Sequence, residues 1–327
     1  MRIGVLGGSG YIGSSIVEAM KSKAIDVVVA RRVSVNYLQK ESLVKWLEKN
    51  GISFLINAAG FTGQPNVDAC EVRKAECLEG NSLLPGVVRA SCETIGIPFG
   101  HVSSGCIFSG AKPDGSGFNE TDTPNFCFRS NHCSFYSGCK ALGEELLEGC
   151  NTCYIWRLRI PFNHEDNARN YLSKLLRYSQ LLDARNSLTH LNDFANSCVA
   201  CIVDRVPYGV YNLTNGGSVT TREVVDMLRA TISPHQSFSF FENEAAFMRQ
   251  AAIAPRSNCV LSNEKAIAAG LPLRGIVAAL MDSLANWQPE SADADHVTSS
   301  LKRRFMRSKD RLINYCHSGL PHITYLN

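Results

Sequence analysis

No apolar run in this sequence approaches the ~20 residues that a membrane span requires, and the chain opens on a strand pattern in place of a charged, apolar, small-residue leader. Both absences lead to the expectation of a cytoplasmic protein with no membrane partner. Charge of one sign is also scarce. The 33 basic and 30 acidic residues leave a formal net charge of +3, and the basic residues are scattered until the C-terminus, which argues against a nucleic-acid partner. A disulfide framework is missing from the cysteine pattern. The 13 cysteines are odd in number and lie mostly within apolar helix or strand patterns such as Ser197-Cys198-Val199-Ala200-Cys201, as reduced thiols of a reducing compartment do. Cys150/Cys153 and Cys198/Cys201 have the C-x-x-C form, but the gap between the pairs far exceeds the roughly 15–20 residues of a zinc ribbon, so no metal is expected. Repeats and long low-complexity segments are absent as well.

What is present is ordinary globular material: 327 residues, 45% hydrophobic, enough to bury a full core as one large domain or as one domain with a smaller lobe. The first residues form a short apolar strand, glycines at Gly7, Gly10 and Gly13, and an amphipathic run from Ser14 to Met20. A strand, a tight glycine turn and a helix make a dinucleotide site: one glycine makes the turn, one admits the pyrophosphate, and one lets helix and strand pack closely. Gly7, Ser9, Gly10, Tyr11, Ile12 and Gly13 are the candidate cofactor residues there. The second strand, Asp26 to Ala30, ends in Arg31-Arg32 and carries no acid for a ribose hydroxyl. Guanidinium groups at that strand end suit a 2′-phosphate, which favours NADPH over NADH; two solvated arginines are the plainer reading.

Strand and helix patterns then alternate. A helix is expected over Ser42–Asn50, a strand over Ser53–Ala59 leading into Asn57-Ala58-Ala59-Gly60, helices over Asp68–Leu78 and Asn81–Ile95, and a strand over Pro98–Ser103. Alternation of this kind predicts an α/β fold with a Rossmann-type doubly wound parallel sheet and ligands at the carboxyl ends of the strands. Ser104 stands at such an end. After a loop rich in Gly, Asp and Pro comes Tyr136-Ser-Gly-Cys-Lys140, whose Tyr136 and Lys140 share a helix face at i and i+4. In this setting Ser104 hydrogen-bonds a substrate carbonyl, Lys140 lowers the phenol pKa and holds the cofactor ribose, and Tyr136 donates a proton as hydride arrives.

Gly7-x-x-Gly10-x-x-Gly13, Asn57-Ala-Ala-Gly60, Ser104, Glu120-x-Asp122-x-Pro124 and Tyr136-x-x-x-Lys140 together resemble the extended short-chain dehydrogenase/reductase family over roughly residues 1 to 288. The segments Asn57 to Glu71, Gly105-Cys-Ile-Phe108, Asp122 to Phe126 and Ala254-Pro-Arg-Ser-Asn258 are similar to the plant-type epimerase-reductases of nucleotide-rhamnose synthesis. That resemblance implies an NADPH-dependent conversion of UDP-4-keto-6-deoxyglucose to UDP-rhamnose. It gives Cys106 an epimerisation role, and Lys174 the role of its partner, with His164 nearby as a GDP-fucose-synthase-like alternative. It assigns Asn57, Ala58 and Ala59 to the cofactor, and Thr62, Gly63, Asn66, Asn170, Arg256 and Asn258 to the nucleotide sugar. The thiol suits the chemistry, because its unperturbed pKa of about 8.5 lies near enough to neutrality to give and take carbon protons. A small buried hydrophobe at a strand end is the other reading of Cys106, and a solvated helix lysine is that of Lys174.

The expected organisation is a cofactor domain over 1–160, rejoined by a strand at 209–214, with a discontinuous substrate lobe over 161–208 and 215–288. From 289 to 327 the composition turns polar and then basic, which leaves a solvated terminal helix or an arm packed on a second copy in a homodimer. Two narrower functions also fit the sequence: a 4-keto-reductase that leaves epimerisation to another protein, and a non-catalytic NADP-binding regulatory subunit.

Overall fold

The computed structural model describes residues 1–64, 66–130 and 132–290. Residues 1–287 form one compact unit, and the extension read at 289–327 lies, from 291 on, outside the described residues. In chain order the elements are β1 (Arg2–Leu6), α1 (Tyr11–Ser22), β2 (Asp26–Ala30), α2 (Lys40–Lys49), β3 (Phe54–Asn57), α3 (Ala69–Val72), α4 (Lys74–Leu78), α5 (Leu84–Ile95), β4 (Phe99–Ser104), α6 (Phe135–Glu145) and β5 (Cys153–Leu158). There follow β6 (Pro161–Phe162), α7 (Tyr171–Arg177), β7 (Arg185–Asn186), β8 (Thr189–His190), α8 (Leu191–Val203), β9 (Gly209–Asn212), β10 (Val219–Thr220), α9 (Thr221–Ala230), α10 (Glu244–Ala251), α11 (Glu264–Ala268) and α12 (Ile276–Ala285). None of the described helices is long and apolar enough to cross a membrane.

β2, β1, β3, β4, β5 and β9 form one parallel sheet in that order. The strand order reverses between β1 and β3, which is where ligands of doubly wound sheets bind. Both faces are covered, so the strands are apolar on both sides. Ile3, Val5, Phe54, Ile56 and Trp156 pack on one face with residues of α1 and α8. Leu55, Phe99 and Ile155, one step along the alternation, meet residues of α2 and α5 on the other. A separate apolar cluster of Phe162, Leu172, Leu188, Val224, Leu228 and Leu280 forms away from the sheet.

Two differences from the sequence reading have clear causes. A lobe segment over 161–208 takes in α8, but Phe194, Cys198 and Cys201 of α8 pack with Ile16 and Met20 of α1, so α8 completes the sheet layer. The single helix expected over Asp68–Leu78 breaks at Arg73, and the next begins through a wide π-turn at Glu79–Leu83. The extra residue of that turn brings Asn81 inward, where its Oδ1 accepts from the Phe61 N–H at 3.2 Å and its Nδ2 donates to the Phe61 carbonyl at 2.6 Å. Glu120, from the Glu-x-Asp-x-Pro motif, has an architectural bond: its carboxylate accepts the Asn212 N–H of β9 at 2.8 Å.

The glycine turn is sterically closed. Gly7 has a φ of 74°, and a Cβ there would stand 2.7 Å from the Ala59 backbone, while a Cβ on Gly13 would stand 2.2 Å from the Gly7 carbonyl oxygen. Backbone cannot yield as a flexible side chain does. Gly13→Ala is therefore expected to cost about 2 kcal/mol or more by overpacking. A thermal melt should fall by several degrees, with the stabilisation by added NADPH lost.

Candidate active site

The cofactor side is built from the ends of β1, β2 and β3. Gly10 N–H closes the turn on the Gly7 carbonyl at 2.9 Å. The Tyr11 hydroxyl donates to Asn163 Oδ1 at 3.1 Å, which ties the start of α1 to the segment after β6. Ser9, Gly10, Tyr11, Asn163, His164 and Arg169 line a cleft of about 380 Å³. Buried Asn57 pins the β3 end, its Oδ1 accepting the Ala59 N–H at 3.2 Å and its Nδ2 meeting His101 Nδ1 at 3.2 Å. Ile12 packs against the sheet core and Ala58 beside it. At the β2 end the Tyr37 hydroxyl donates to the Ala30 carbonyl at 2.6 Å, and the Arg32 guanidinium lies 5.9 Å over the Tyr37 ring. Arg31 and Arg32 are exposed, and neither is in an ion pair among the described residues. Arg32→Asp should lower the kcat/KM preference for NADPH over NADH by about tenfold or more, which is the effect of losing one phosphate contact of about 1.4 kcal/mol; an unchanged ratio would reject this residue as the phosphate clamp.

The reactive side comes from the β4 end and α6. Ser134 caps α6, its Oγ accepting the Ser137 N–H at 3.2 Å, so Tyr136 and Lys140 lie on one face, a turn apart. Lys140 is buried, and its Nζ donates to the Val102 carbonyl at 3.4 Å. Burial lowers the Lys140 pKa, opposed by the nearby Cys106 and Glu144. Ser104 Oγ accepts the Cys106 N–H at 3.2 Å, capping the short 3₁₀ turn Gly105–Ile107, and its hydroxyl favours the ionised form of Tyr136. The expectation that Lys140 lowers the phenol pKa is not met: burial, then Cys106, Cys70 and Cys77, push it well up, and the Ser104 hydroxyl is what opposes them. Tyr136 is thereby held as the protonated acid. Cys106 is buried too; burial raises its thiol, while hydrogen bonds from Ser104 and Ser137 and the charges of Arg159 and Lys140 pull it back.

The residues fit a nicotinamide dinucleotide. The turn leaves no room for a Cβ at Gly7 or Gly13, and a buried ammonium with one long hydrogen bond has donors to spare for ribose hydroxyls.

The residues assigned to substrate divide into groups. Thr62 Oγ1 accepts from Arg169 Nη1 at 2.6 Å. Gly63 has a φ of 68°, and a Cβ on it would stand 2.7 Å from the Asn66 carbonyl oxygen; the Asn66 Oδ1 accepts the Asp68 N–H at 2.8 Å. Asn170 is buried and saturated: it caps α7 through the Leu172 N–H at 3.0 Å and donates to Asn163 and Glu165. It therefore positions the cleft wall. Arg256 grips the Asp68 carboxylate with two bonds of 2.6 Å, and Asn258 Oδ1 accepts from Asn186 Nδ2 at 3.2 Å. Lys174 is partly buried on α7, and burial, then Arg169, lower its pKa. Among the described residues no hydrogen bond or ion pair joins it to Cys106.

Residues 1–288 match the family described as RmlD substrate binding domain. The chain belongs to that family. This makes it an enzyme of an NADPH-dependent reductase family on a Rossmann-like sheet. The bifunctional dTDP-4-dehydrorhamnose 3,5-epimerase/dTDP-4-dehydrorhamnose reductase of Arabidopsis thaliana is 33% identical over 266 residues, 80% of this chain and 85% of that protein. A trifunctional UDP-glucose 4,6-dehydratase/UDP-4-keto-6-deoxy-D-glucose 3,5-epimerase/UDP-4-keto-L-rhamnose-reductase of the same plant is 34% identical over 224 residues; the match takes in 67% of this chain and 32% of that longer protein. The fold is shared with the UDP-rhamnose synthase of Acanthamoeba polyphaga mimivirus, with a TM-score of 0.80 at 23% identity, covering 88% of this chain and 99% of the other.

Four further residues of this family member stand at the site without having been singled out in the sequence: Ser137 on the Cys106 thiol, Asn81 on the Phe61 loop, Asn186 and Arg159. Arg159 left the one local trace, a charge two residues after Arg157 at the end of an otherwise apolar strand.

Proposed function

We propose that the protein converts a nucleotide-linked 4-keto-6-deoxyhexose, with UDP-4-keto-6-deoxyglucose as the substrate, to the L-rhamnose form by inverting C3 and C5 and reducing C4. The observation that carries this reading is the meeting of the Cys106 thiol with the Ser104, Tyr136 and Lys140 reductase set, since ketone reduction alone has no use for a thiol there.

The 4-keto group acidifies the C–H bonds on both neighbouring carbons. Lys174, whose pKa is lowered by burial and then by Arg169, takes the carbon proton through its neutral amine. The electron pair moves into the enolate, whose oxygen Ser104 and Tyr136 hold by hydrogen bonds. Cys106 returns a proton from the opposite face and is left as thiolate, and proton exchange with water resets the pair. Bound NADPH supplies the hydride for C4. Tyr136 delivers the phenolic proton to the C4 oxygen, and Lys140, whose ammonium would also hold the cofactor ribose, stabilises the phenolate that remains. The segments 161–190 and 215–288, with Thr62, Gly63 and Asn66, carry the sugar nucleotide, and Arg256 and Asn258 face its diphosphate.

The test uses UDP-4-keto-6-deoxyglucose in D₂O, first without and then with NADPH, following deuterium at C3 and C5 by NMR and cofactor oxidation by absorbance. Exchange without NADPH, and oxidation with it, are expected. Oxidation with no deuterium in the ring would reduce the activity to that of a 4-keto-reductase. Cofactor binding with neither reaction would favour a regulatory subunit.

A further inference from the structure

Two arginines follow one another along the end of β5, and their surroundings differ. Arg157 is matched in charge: its guanidinium donates to both oxygens of Glu144, with Nη2 to Oε2 at 2.7 Å, and lies 5.3 Å over the Phe108 ring, although its Nη1 is also buried without a partner. Arg159 is as deeply buried but has no ion pair among the described residues. Its Nη2 donates to Asn186 Oδ1 at 2.7 Å and to the Ser257 carbonyl, and its Nε is buried without a partner. It lies against the catalytic turn, since a Cβ on Gly105 would be 3.6 Å from Arg159 Cδ. A buried guanidinium held only by neutral acceptors, with one donor unmet, costs folding free energy. Such a cost is offset when an anion forms beside it.

We propose that Arg159 is a positioning residue of the epimerase half, its guanidinium serving as counter-ion to the Cys106 thiolate left once that thiol has protonated the sugar carbon. This rests on the epimerase-reductase reading above. Asn186 and the Ser257 carbonyl fix the guanidinium in place before the anion exists, so little reorganisation accompanies the proton transfer. The same anchors link this cation to the 256–258 turn. The titratable and charged groups that face Cys106 are Tyr136 and Lys140 from α6, Cys133 just before it, Arg159, and Cys127 and Cys259 in the shared apolar cluster. Lys140 is the other cation among them; its one bond, to the Val102 carbonyl, is long, and its remaining donors suit the cofactor ribose.

The test reads Cys106 directly. The full-length protein without substrate is alkylated with iodoacetamide across a pH series, and modification of the Cys106 peptide is quantified by mass spectrometry, with NADPH binding as the check on folding. Arg159→Gln should move the midpoint of Cys106 alkylation up by about one pH unit, the loss of one opposite charge at close range. Arg159→Lys should restore much of the shift, and Asn186→Ala, which keeps the charge but frees its anchor, should give a smaller rise. An unchanged midpoint in Arg159→Gln overturns the proposal, and so does a variant that loses affinity for UDP while its midpoint stays put, since Arg159 would then serve the diphosphate. Where Arg159→Gln does not bind NADPH, an unchanged midpoint in Asn186→Ala has the same force. A shifted midpoint together with no deuterium exchange in wild type would sink the epimerase reading and leave the Arg159–Cys106 pairing standing.

Discussion

Cys106→Ala should bring deuterium incorporation at C3 and C5 down by about 10²-fold or more, the range ascribed to one positioned acid or base. Reduction of a substrate already inverted at both carbons should continue near the wild-type rate. The separation follows from where the thiol sits. Its side chain is packed with Ile107, Phe108 and Leu261, while the turn that carries it is held by backbone: the Cys106 N–H donates to Ser104 Oγ, and the Phe108 N–H to the Gly105 carbonyl at 3.1 Å. Removing the sulfur leaves those bonds intact, so Ser104 stays in place for the ketone. A serine at this position should rescue little, because an alkoxide is far harder to form in a buried site than a thiolate. Equal exchange in wild type and Cys106→Ala would remove the thiol from the mechanism.

Tyr136→Phe should have the opposite profile. The kcat for keto-reduction is expected to fall by about 10³-fold, with NADPH affinity near that of wild type and carbon exchange reduced far less, since Ser104 still holds the enolate oxygen. The phenylalanine ring retains the packing of Tyr136 against Phe61, Phe135 and the cysteine cluster Cys70, Cys77 and Cys139, so the loss is chemical. Burial pushes the phenol pKa well up, so the hydroxyl carries its proton to the ketone, and the phenylalanine has none to give. Single-turnover absorbance at 340 nm checks it. A variant that oxidises NADPH at the wild-type rate would reassign the proton donor.

The parts of this molecule that were legible in the sequence are those written within one turn or one strand. Gly7, Gly10 and Gly13 announce a steric requirement that the Cβ distances at Gly7 and Gly13 bear out, and Tyr136 with Lys140 announces a shared helix face. The parallel sheet was legible for the same reason, because alternation of strand and helix is a local pattern repeated. The wide turn at Glu79–Leu83 was hidden, since what draws it out is a hydrogen bond between Asn81 and Phe61, twenty positions away. The side of the fold to which α8 belongs was hidden too, for both faces of that helix are apolar and only packing with α1 decides between them. Arg159 was visible as a charge but not as a function, which depends on Asn186 and Ser257 being brought to it. The phenol and thiol pKa shifts also depended on burial depth, which residue identity does not report.

The Arg256–Asp68 pair closes a loop of 188 positions, and this fixes an order of events during synthesis. All six strands of the sheet have been made by Asn212, but Ala266 and Leu271, which pack into the core on one face of that sheet, are made only after Arg256. Closing so long a loop adds entropy cost slowly but delays its formation. A chain stalled or clipped between these two points would have every strand of the sheet but lack both that part of its core and the Arg256–Asp68 latch.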